Sequence, residues 1–453
     1  MRIKNRHPPD HKSVSPARAA AFDILLRVER KDAYASELLQ ADRVNKLSAA
    51  DRGLTTELVM GVLRWRSKLD AAIGPSSSRR LQGLDPEVVT ALRLAAYQLR
   101  FLDRVPARAS INESVELVKR AKKRSAAPFA NAVLRRLADT PDESSQLEGL
   151  SVGGLAHDHA HPEWLVERWA KQFGLEKAGL ICQHDQQVPL TALRMETSEA
   201  EPQAACEGIE LAPGMLLTRA RILEFGDITR SAAFRHGHIF IQDEGSQLVA
   251  MLVGTGSRIL DCCAAPGGKT AAIAARNPSA SIFAAEVHTH RANLLRKRVR
   301  AANVQVVNAD ALNLPLAGGF DRVLADVPCS GTGTLARNPE IKWRLKPADL
   351  GGLHDKQVAI VRAALQQVAV GGRAVYSTCS LEREENEMVV EEVLHANTQF
   401  TLLDCREELR RLRETGELAW TDPSSLSSGP FMRTIPGVHP CDGFFAAIIE
   451  RRA

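Results

Sequence analysis

Between residues 258 and 376, five short apolar runs follow one another, at 258–260, 281–285, 305–307, 322–325 and 372–376. Stretches of helical spacing separate most of them, for example 291–301 and 353–369. Strands that alternate with helices are joined by crossovers, so a mainly parallel sheet covered on both faces is the expected architecture. Ligands of such sheets bind beyond the carboxyl ends of the strands. The residues that close each run are therefore where the chemistry should lie.

The first run opens into Asp261-Cys-Cys263-Ala264-Ala265-Pro266-Gly267-Gly268-Lys269-Thr270. Small residues at a helix start let a ligand approach the backbone and its free N–H groups. The Gly-Lys-Thr ending resembles a triphosphate loop, but that pattern needs glycine where Cys263 stands. Pro266 also removes a donor that a phosphate cradle would use. Nor does a Gly-x-Gly-x-x-Gly fingerprint occur in the loop. Glu286 follows the second run, where a carboxylate can accept from ribose hydroxyls, and Asp310 follows the third, within reach of an adenine amino group. Either acid alone reads equally well as a cap. With the loop they describe a nucleoside ligand without phosphate, which favours S-adenosylmethionine.

The fourth run ends in Asp326-Val-Pro-Cys329-Ser-Gly-Thr-Gly333, and the fifth in Ser377-Thr-Cys379-Ser380. Two thiols and an acid at the ends of neighbouring strands fit one reaction well. Carbon 5 of cytosine is a poor nucleophile until a thiolate adds at carbon 6 and makes the ring an enamine. The addition needs a proton or strong hydrogen bond at N3, and product release needs help with elimination. Pro328 restricts the backbone, and the following glycines are expected to let a base come close. Chemistry alone allows either cysteine to attack. The chain has eight cysteines, at 182, 206, 262, 263, 329, 379, 405 and 441, and no Cys-x-x-Cys pair. The default for the others is a small buried apolar residue.

At 453 residues the chain exceeds one compact core. Residues 16–140 read as helices, with apolar positions three and four apart over 17–28, 54–65, 86–102, 111–121 and 129–137. Asp85-Pro86-Glu87 is a helix start, and 74–80, Gly-Pro-Ser-Ser-Ser-Arg-Arg, a loop. Residues 1–150 carry 27 Lys and Arg against 18 Asp and Glu, whereas the remainder holds 32 against 36. A basic third on a near-neutral body points to a polyanion. The cationic stretch Lys119-Arg-Ala-Lys-Lys-Arg124 exceeds what a helix end needs. Residues 139–153 read as a polar connector. The alternating His157, His159 and His161 lack a further ligand at a known spacing, so they read as linker before a helix and no metal is expected. Residues 155–240 read as a small α/β module. The start, MRIKNRHPPDHKSVSP, lacks the apolar stretch of a secretory signal, and no apolar run reaches membrane-spanning length. A cytoplasmic monomer without membrane attachment is expected.

Two resemblances sharpen this reading. Ala109-Ser-Ile-Asn112-Glu113-Ser-Val115-Glu-Leu117-Val-Lys119, with Phe129-Ala-Asn131-Ala-Val-Leu134-Arg135, resembles the NusB-type helical RNA-binding domain. The block of Cys263 to Lys269, Asp326 to Gly333, Ile341-Lys-Trp343, Tyr376 to Ser380 and Glu384-Glu-Asn386-Glu387 resembles the RNA cytosine-5 methyltransferases. Asp442-Gly443-Phe444-Phe445 is similar to their antiparallel hairpin strand. Together the chain resembles, end to end, the NusB-fused bacterial 16S rRNA cytosine-5 methyltransferases of the Sun/Fmu type.

The resemblance implies a NusB-like all-α domain (1–145), a small α/β linker module (155–240) and a Rossmann-like class I methyltransferase domain with a mostly parallel sheet (241–453). It implies that Cys379 is the nucleophile and that Cys329 assists release. Asp326 would contact the target base and the methionine side of S-adenosylmethionine, with Lys269 near the same pocket. Glu286 departs from the pattern, standing where aspartate is common, but the longer carboxylate can still reach a ribose. The expected partner is 16S rRNA. A tRNA substrate, or a non-catalytic RNA-binding assembly factor, are the alternatives.

Overall fold

The computed structural model describes residues 14–31, 33–141 and 151–452. The N-terminal segment 1–13 and most of the expected connector, 142–150, lie outside them. The chain divides into two compact units, one formed by 1–187 with 336–344, the other by 188–335 with 345–453. Among the described residues, no helix is long and apolar enough to cross a membrane.

The first unit is helical. Its principal helices are Pro16–Lys31, Ala49–Arg64, Arg66–Ser76, Pro86–Phe101, Ala107–Arg120 and Ala127–Asp139, followed by Val152–Asp158, Glu163–Phe173 and Leu175–Asp185. The apolar positions read from the sequence face one core, in which Leu58, Leu92, Leu94, Leu117 and Leu134 are fully buried. Each such side chain contributes about 1.5–3 kcal/mol through burial. Ser48 caps Ala49–Arg64 by accepting from the Asp51 N–H at 3.1 Å. Asp85 occupies the expected cap position before Pro86, yet its side chain makes no cap bond and pairs with Lys123 at 3.0 Å.

Two expectations are corrected here. The loop at 74–80 begins later, because Arg66–Ser76 continues through Gly74 and Pro75. Burial of Ile73 and Ser76 outweighs the breaker residues in this last turn. Likewise Gly153 and Gly154 are helical within Val152–Asp158, a short helix started by the Ser151 hydroxyl, which accepts from the Gly154 N–H at 3.1 Å. His161 is buried, with its ring nitrogens 2.7 Å from the His159 carbonyl and 3.1 Å from Asp185.

Residues 336–344 complete this unit although they lie between two strands of the other. The Ala336 carbonyl accepts from Arg64 at 3.0 Å, the Ala35 N–H donates to Glu340 at 2.7 Å, and the Trp343 indole donates to the Leu63 carbonyl at 2.6 Å.

The second unit contains two sheets. Strands β1 (Ala192–Met195), β2 (Glu210–Pro213), β3 (Ala220–Phe225) and β4 (Ile239–Ile241) form an antiparallel sheet in the order β2-β3-β1-β4. The large sheet holds β5 (Arg258–Asp261), β6 (Ser281–Ala285), β7 (Val304–Val307), β8 (Phe320–Asp326) and β9 (Val368–Thr378), parallel in the order β9-β8-β5-β6-β7. The closing strand β13 (Phe445–Arg451) pairs antiparallel with β9 and carries the hairpin edge. Before it come β10 (Phe400–Leu403), β11 (Ser427–Ser428) and β12 (Phe431–Arg433). Apolar clusters lie on the two faces, Leu324 and Val375 in one, Val323 and Tyr376 in the other, as the alternation along a covered sheet requires. All five parallel strands fall on the runs read from the sequence.

Candidate functional site

Register brings the two thiols together. Strands β8 and β9 are parallel neighbours with Asp326 opposite Ser377, so the loops that leave them start side by side. The Cys329 and Cys379 sulfurs lie 3.4 Å apart. The Cys329 thiol is pushed well above its ordinary pKa, first by the hydrogen bond to Cys379 and then by burial, which keeps its proton on.

Asp326 closes β8, and each of its carboxylate oxygens has a partner. One carboxylate oxygen accepts from Lys269 Nζ at 2.8 Å, the other from the Ser377 hydroxyl at 2.7 Å. Burial opposes the charge on Lys269, but the Asp326 carboxylate outweighs it and raises the lysine pKa, with Cys379 adding to the effect. The ammonium also lies 5.1 Å over the Phe444 ring. Lys269, Asp326, Cys329 and Cys379 thus form one cluster, from three segments that the sequence keeps far apart.

A second carboxyl, Asp261, was not singled out by sequence. It ends β5 as Asp326 ends β8, and that parallel was the available signal. Burial raises its pKa to about 7, although the Thr270 hydroxyl donates to it at 2.7 Å. Burial also pushes up the neighbouring Cys262 and Cys263 thiols, leaving them as apolar packing.

Glu385 is the residue whose role the sequence concealed. It is fully buried and reaches both thiol loops: one oxygen accepts from the Ser330 N–H at 2.8 Å and from Gln357 at 2.9 Å, the other from the hydroxyls of Ser330 and Ser380. Asn386 adds to the clasp, donating to the Ser380 carbonyl at 2.9 Å. Two of the glycines after Cys329 are also required by the backbone. Gly331 adopts a left-handed φ of 76°, and a Cβ on Gly333 would meet the Gly443 carbonyl at 2.2 Å.

The cofactor loop joins β5 to the helix Gly268–Arg276, whose first-turn N–H groups have no intrahelical partner. Ala264 is held by the Ala285 carbonyl at 2.9 Å, Pro266 follows Ala265 through a cis bond, and Gly267 takes a φ of 107°. Arg291 links this loop to Glu286, donating to the Ala265 carbonyl at 3.0 Å and lying 3.7 Å from the Glu286 carboxylate. Glu286 is buried at the end of β6 and accepts from the His288 N–H at 2.8 Å. Its acceptor oxygens suit the hydroxyls of a neutral diol, so the residues present fit a nucleoside. Asp310 is exposed, and its carboxylate turns back to the Leu312 N–H at 3.0 Å. No hydrogen bond or ion pair among the described residues ties it to the rest.

Known proteins share sequence and fold with this chain over most of its length. The family model "16S rRNA methyltransferase RsmB/F" matches residues 250–450, the NusB family 15–139, and a ferredoxin-like domain of the RsmF/B-like methyltransferases 161–213. The chain is 36% identical over 398 residues to a Bacillus subtilis protein described as "Probable ribosomal RNA small subunit methyltransferase B", covering 84% of this chain and 89% of that one. It is 30% identical to "Ribosomal RNA small subunit methyltransferase B" of Vibrio cholerae, over 96% and 97% of the two chains. Among solved structures, PH0851 superposes with a TM-score of 0.79 at 22% identity, covering 97% of this chain and 99% of that one, which establishes a shared fold. Sequence kinship over nearly the whole length thus joins the clustered strand-end residues, and the chain belongs to the 16S rRNA methyltransferase RsmB/F family, as an S-adenosylmethionine-dependent RNA methyltransferase.

Proposed function

We propose that this protein methylates carbon 5 of a cytosine in 16S rRNA through a covalent adduct between Cys379 and carbon 6 of the base. The observation that carries the reading is the 3.4 Å sulfur pair beside the Lys269–Asp326 ion pair. Two curated relatives named for the small-subunit rRNA support the substrate.

S-adenosylmethionine supplies an electrophilic methyl group. The loop from Cys263 to Lys269 would hold its methionine end at the open helix start, Glu286 its ribose, and Asp310 its adenine amino group. Cys379, attacking as the thiolate, forms a bond to carbon 6 and drives the ring electrons toward N3. The Lys269 ammonium donates at N3 while Asp326 accepts from the exocyclic amino group and holds the base in place. Carbon 5, made nucleophilic by that addition, would accept the methyl group that the cofactor supplies, leaving the cofactor as a neutral thioether. Loss of the carbon 5 proton to a base reforms the double bond and expels Cys379. The protonated Cys329 hydrogen-bonds the departing sulfur and eases that elimination. The basic NusB-type region would hold the RNA while the target base is presented unstacked. The substrate implies a cytoplasmic setting.

Bisulfite sequencing of RNA from cells lacking the protein tests the substrate: loss of one 16S mark is expected, and loss only in tRNA refutes the rRNA assignment. Cys379→Ala should abolish transfer with cofactor binding nearly intact, whereas Cys329→Ala should accumulate an RNA–protein adduct. An adduct in Cys379→Ala instead reverses the two roles.

A further inference from the structure

Residues 287–309 contain five Lys and Arg and no Asp or Glu, in the part of the chain whose net charge is negative. Most of them lie on the helix Thr289–Arg298 and just after it. Arg291 is used by the cofactor loop, and Arg296 donates to Asn293 at 2.9 Å. Lys297, Arg298 and Arg300 are exposed and make no hydrogen bond or ion pair among the described residues. One cation would complement the helix C-terminus; this cluster exceeds that need.

Arg298 and Arg300 rim a cleft of about 410 Å³ in the second unit. One wall is the helix Gly268–Arg276, presenting Ala271 and Ala274; the other comes from β4, presenting Phe240, and from the short helix Ala232–His236 before it, presenting the exposed His236. Arg194 lies over the Phe240 ring at 4.8 Å. Glu196, the acid in the lining, is already paired with Arg194. A mostly apolar slot with an aromatic ring, edged by unpaired guanidinium groups, matches a nucleotide with its phosphates. Bases stack on aromatic and flat apolar surfaces while cations track the backbone.

We infer that this cleft seats an unpaired nucleotide of the RNA substrate, its base against Phe240 and the alanine wall, its flanking phosphates on Arg298 and Arg300. The assignment rests on the RNA reading above. It adds a binding surface in the catalytic unit whose lining residues are not those of the thiol cluster.

The test uses the full chain and in vitro transcribed 16S rRNA, with binding measured over a range of salt concentrations. Arg298→Gln/Arg300→Gln should weaken binding at least tenfold at low salt and reduce the slope of log affinity against log salt by about 1.4, for two phosphates of single-stranded RNA. Phe240→Leu should weaken binding roughly tenfold with the slope unchanged. Both should bind S-adenosylmethionine and fold as the parent does, judged by calorimetry and circular dichroism. Transcript carrying 4-thiouridine should crosslink within the peptide that contains Phe240. Parental affinity and slope in the arginine variant, or crosslinks confined to other peptides, would overturn the inference. A parent protein that binds through this cleft but methylates nothing refutes the catalytic reading alone. Normal methylation with undiminished binding by the variants refutes the cleft alone.

Discussion

Each unit draws a lysine largely out of solvent, and the two are pushed in opposite directions. Lys269, in the catalytic unit, gains the Asp326 carboxylate at 2.8 Å and stays charged. Lys342, in the helical unit, is almost wholly buried, and its ammonium makes no hydrogen bond within the described residues. Burial lowers its pKa to about 7, although Asp185 and Cys182 act the other way. It lies 5.2 Å over the Trp343 ring, and Asp185 is already shared with His161. A buried cation with a bonded carboxylate is a working electrostatic element, whereas one without it tends toward the neutral amine. Motif resemblance places both residues on the same footing; only the partner distinguishes them.

The largest effect that could break this contrast is on catalysis. Lys269→Met should lower methyl transfer by about a thousandfold, because it strands Asp326 and removes the donor at N3. Single-turnover assays check this, and a loss under tenfold would place Lys269 with Lys342 as packing. Glu385→Gln should come next, slowing transfer by about ten- to a hundredfold, since an amide cannot accept from all the donors that converge on this carboxylate. Cofactor affinity should be nearly unchanged in that variant. Lys342→Met should keep activity near that of the parent and stabilise the helical unit by about 1–3 kcal/mol at neutral pH, by analogy with other buried charges replaced by apolar groups. Four of the five tryptophans, at 65, 164, 169 and 343, belong to that unit, so fluorescence-monitored urea unfolding reports on it.

The smallest effects are the slopes with pH. Lys342 has a depressed pKa, so its contribution to stability is fully present above about pH 10.5 and is lost as pH falls toward 7. Asp261 has a raised pKa, so its contribution is fully present below about pH 3.8 and is lost as pH rises toward 7. Unfolding of the parent against Lys342→Met between neutral and alkaline pH, and against Asp261→Asn between acid and neutral pH, should give slopes of opposite sign. Equal signs would refute the assignment for one of the two residues.

Much of the site could be read before the fold was known, for a local reason. Strand ends in a parallel sheet are marked by the close of an apolar run, and Asp326, Cys329, Cys379, Glu286 and the loop from Cys263 to Lys269 all follow such closes. The clasp could not be read that way. Glu385 lies 55 residues from Ser330, and nothing local tells which of the consecutive acids Glu384 and Glu385 turns inward. The segment 336–344 was misleading for a similar reason: it sits between catalytic strands in sequence, yet its bonds run to Ala35, Leu63 and Arg64. Gly74 and Pro75 look like a loop until their neighbours Ile73 and Ser76 are seen buried in the last turn.

By itself, then, the sequence determined what short-range periodicity and chain order can encode: a helical first part, a parallel sheet, and thiols, acid and glycine loop at adjoining strand ends. Only the tertiary structure decided which groups touch. Sulfurs 50 residues apart reach 3.4 Å because β8 and β9 pair in one register, and a one-residue slip would have turned every side chain to the opposite face. Burial and partner charge, which set Lys269 against Lys342 and raised Asp261, are likewise sums over distant segments. No window of sequence contains them.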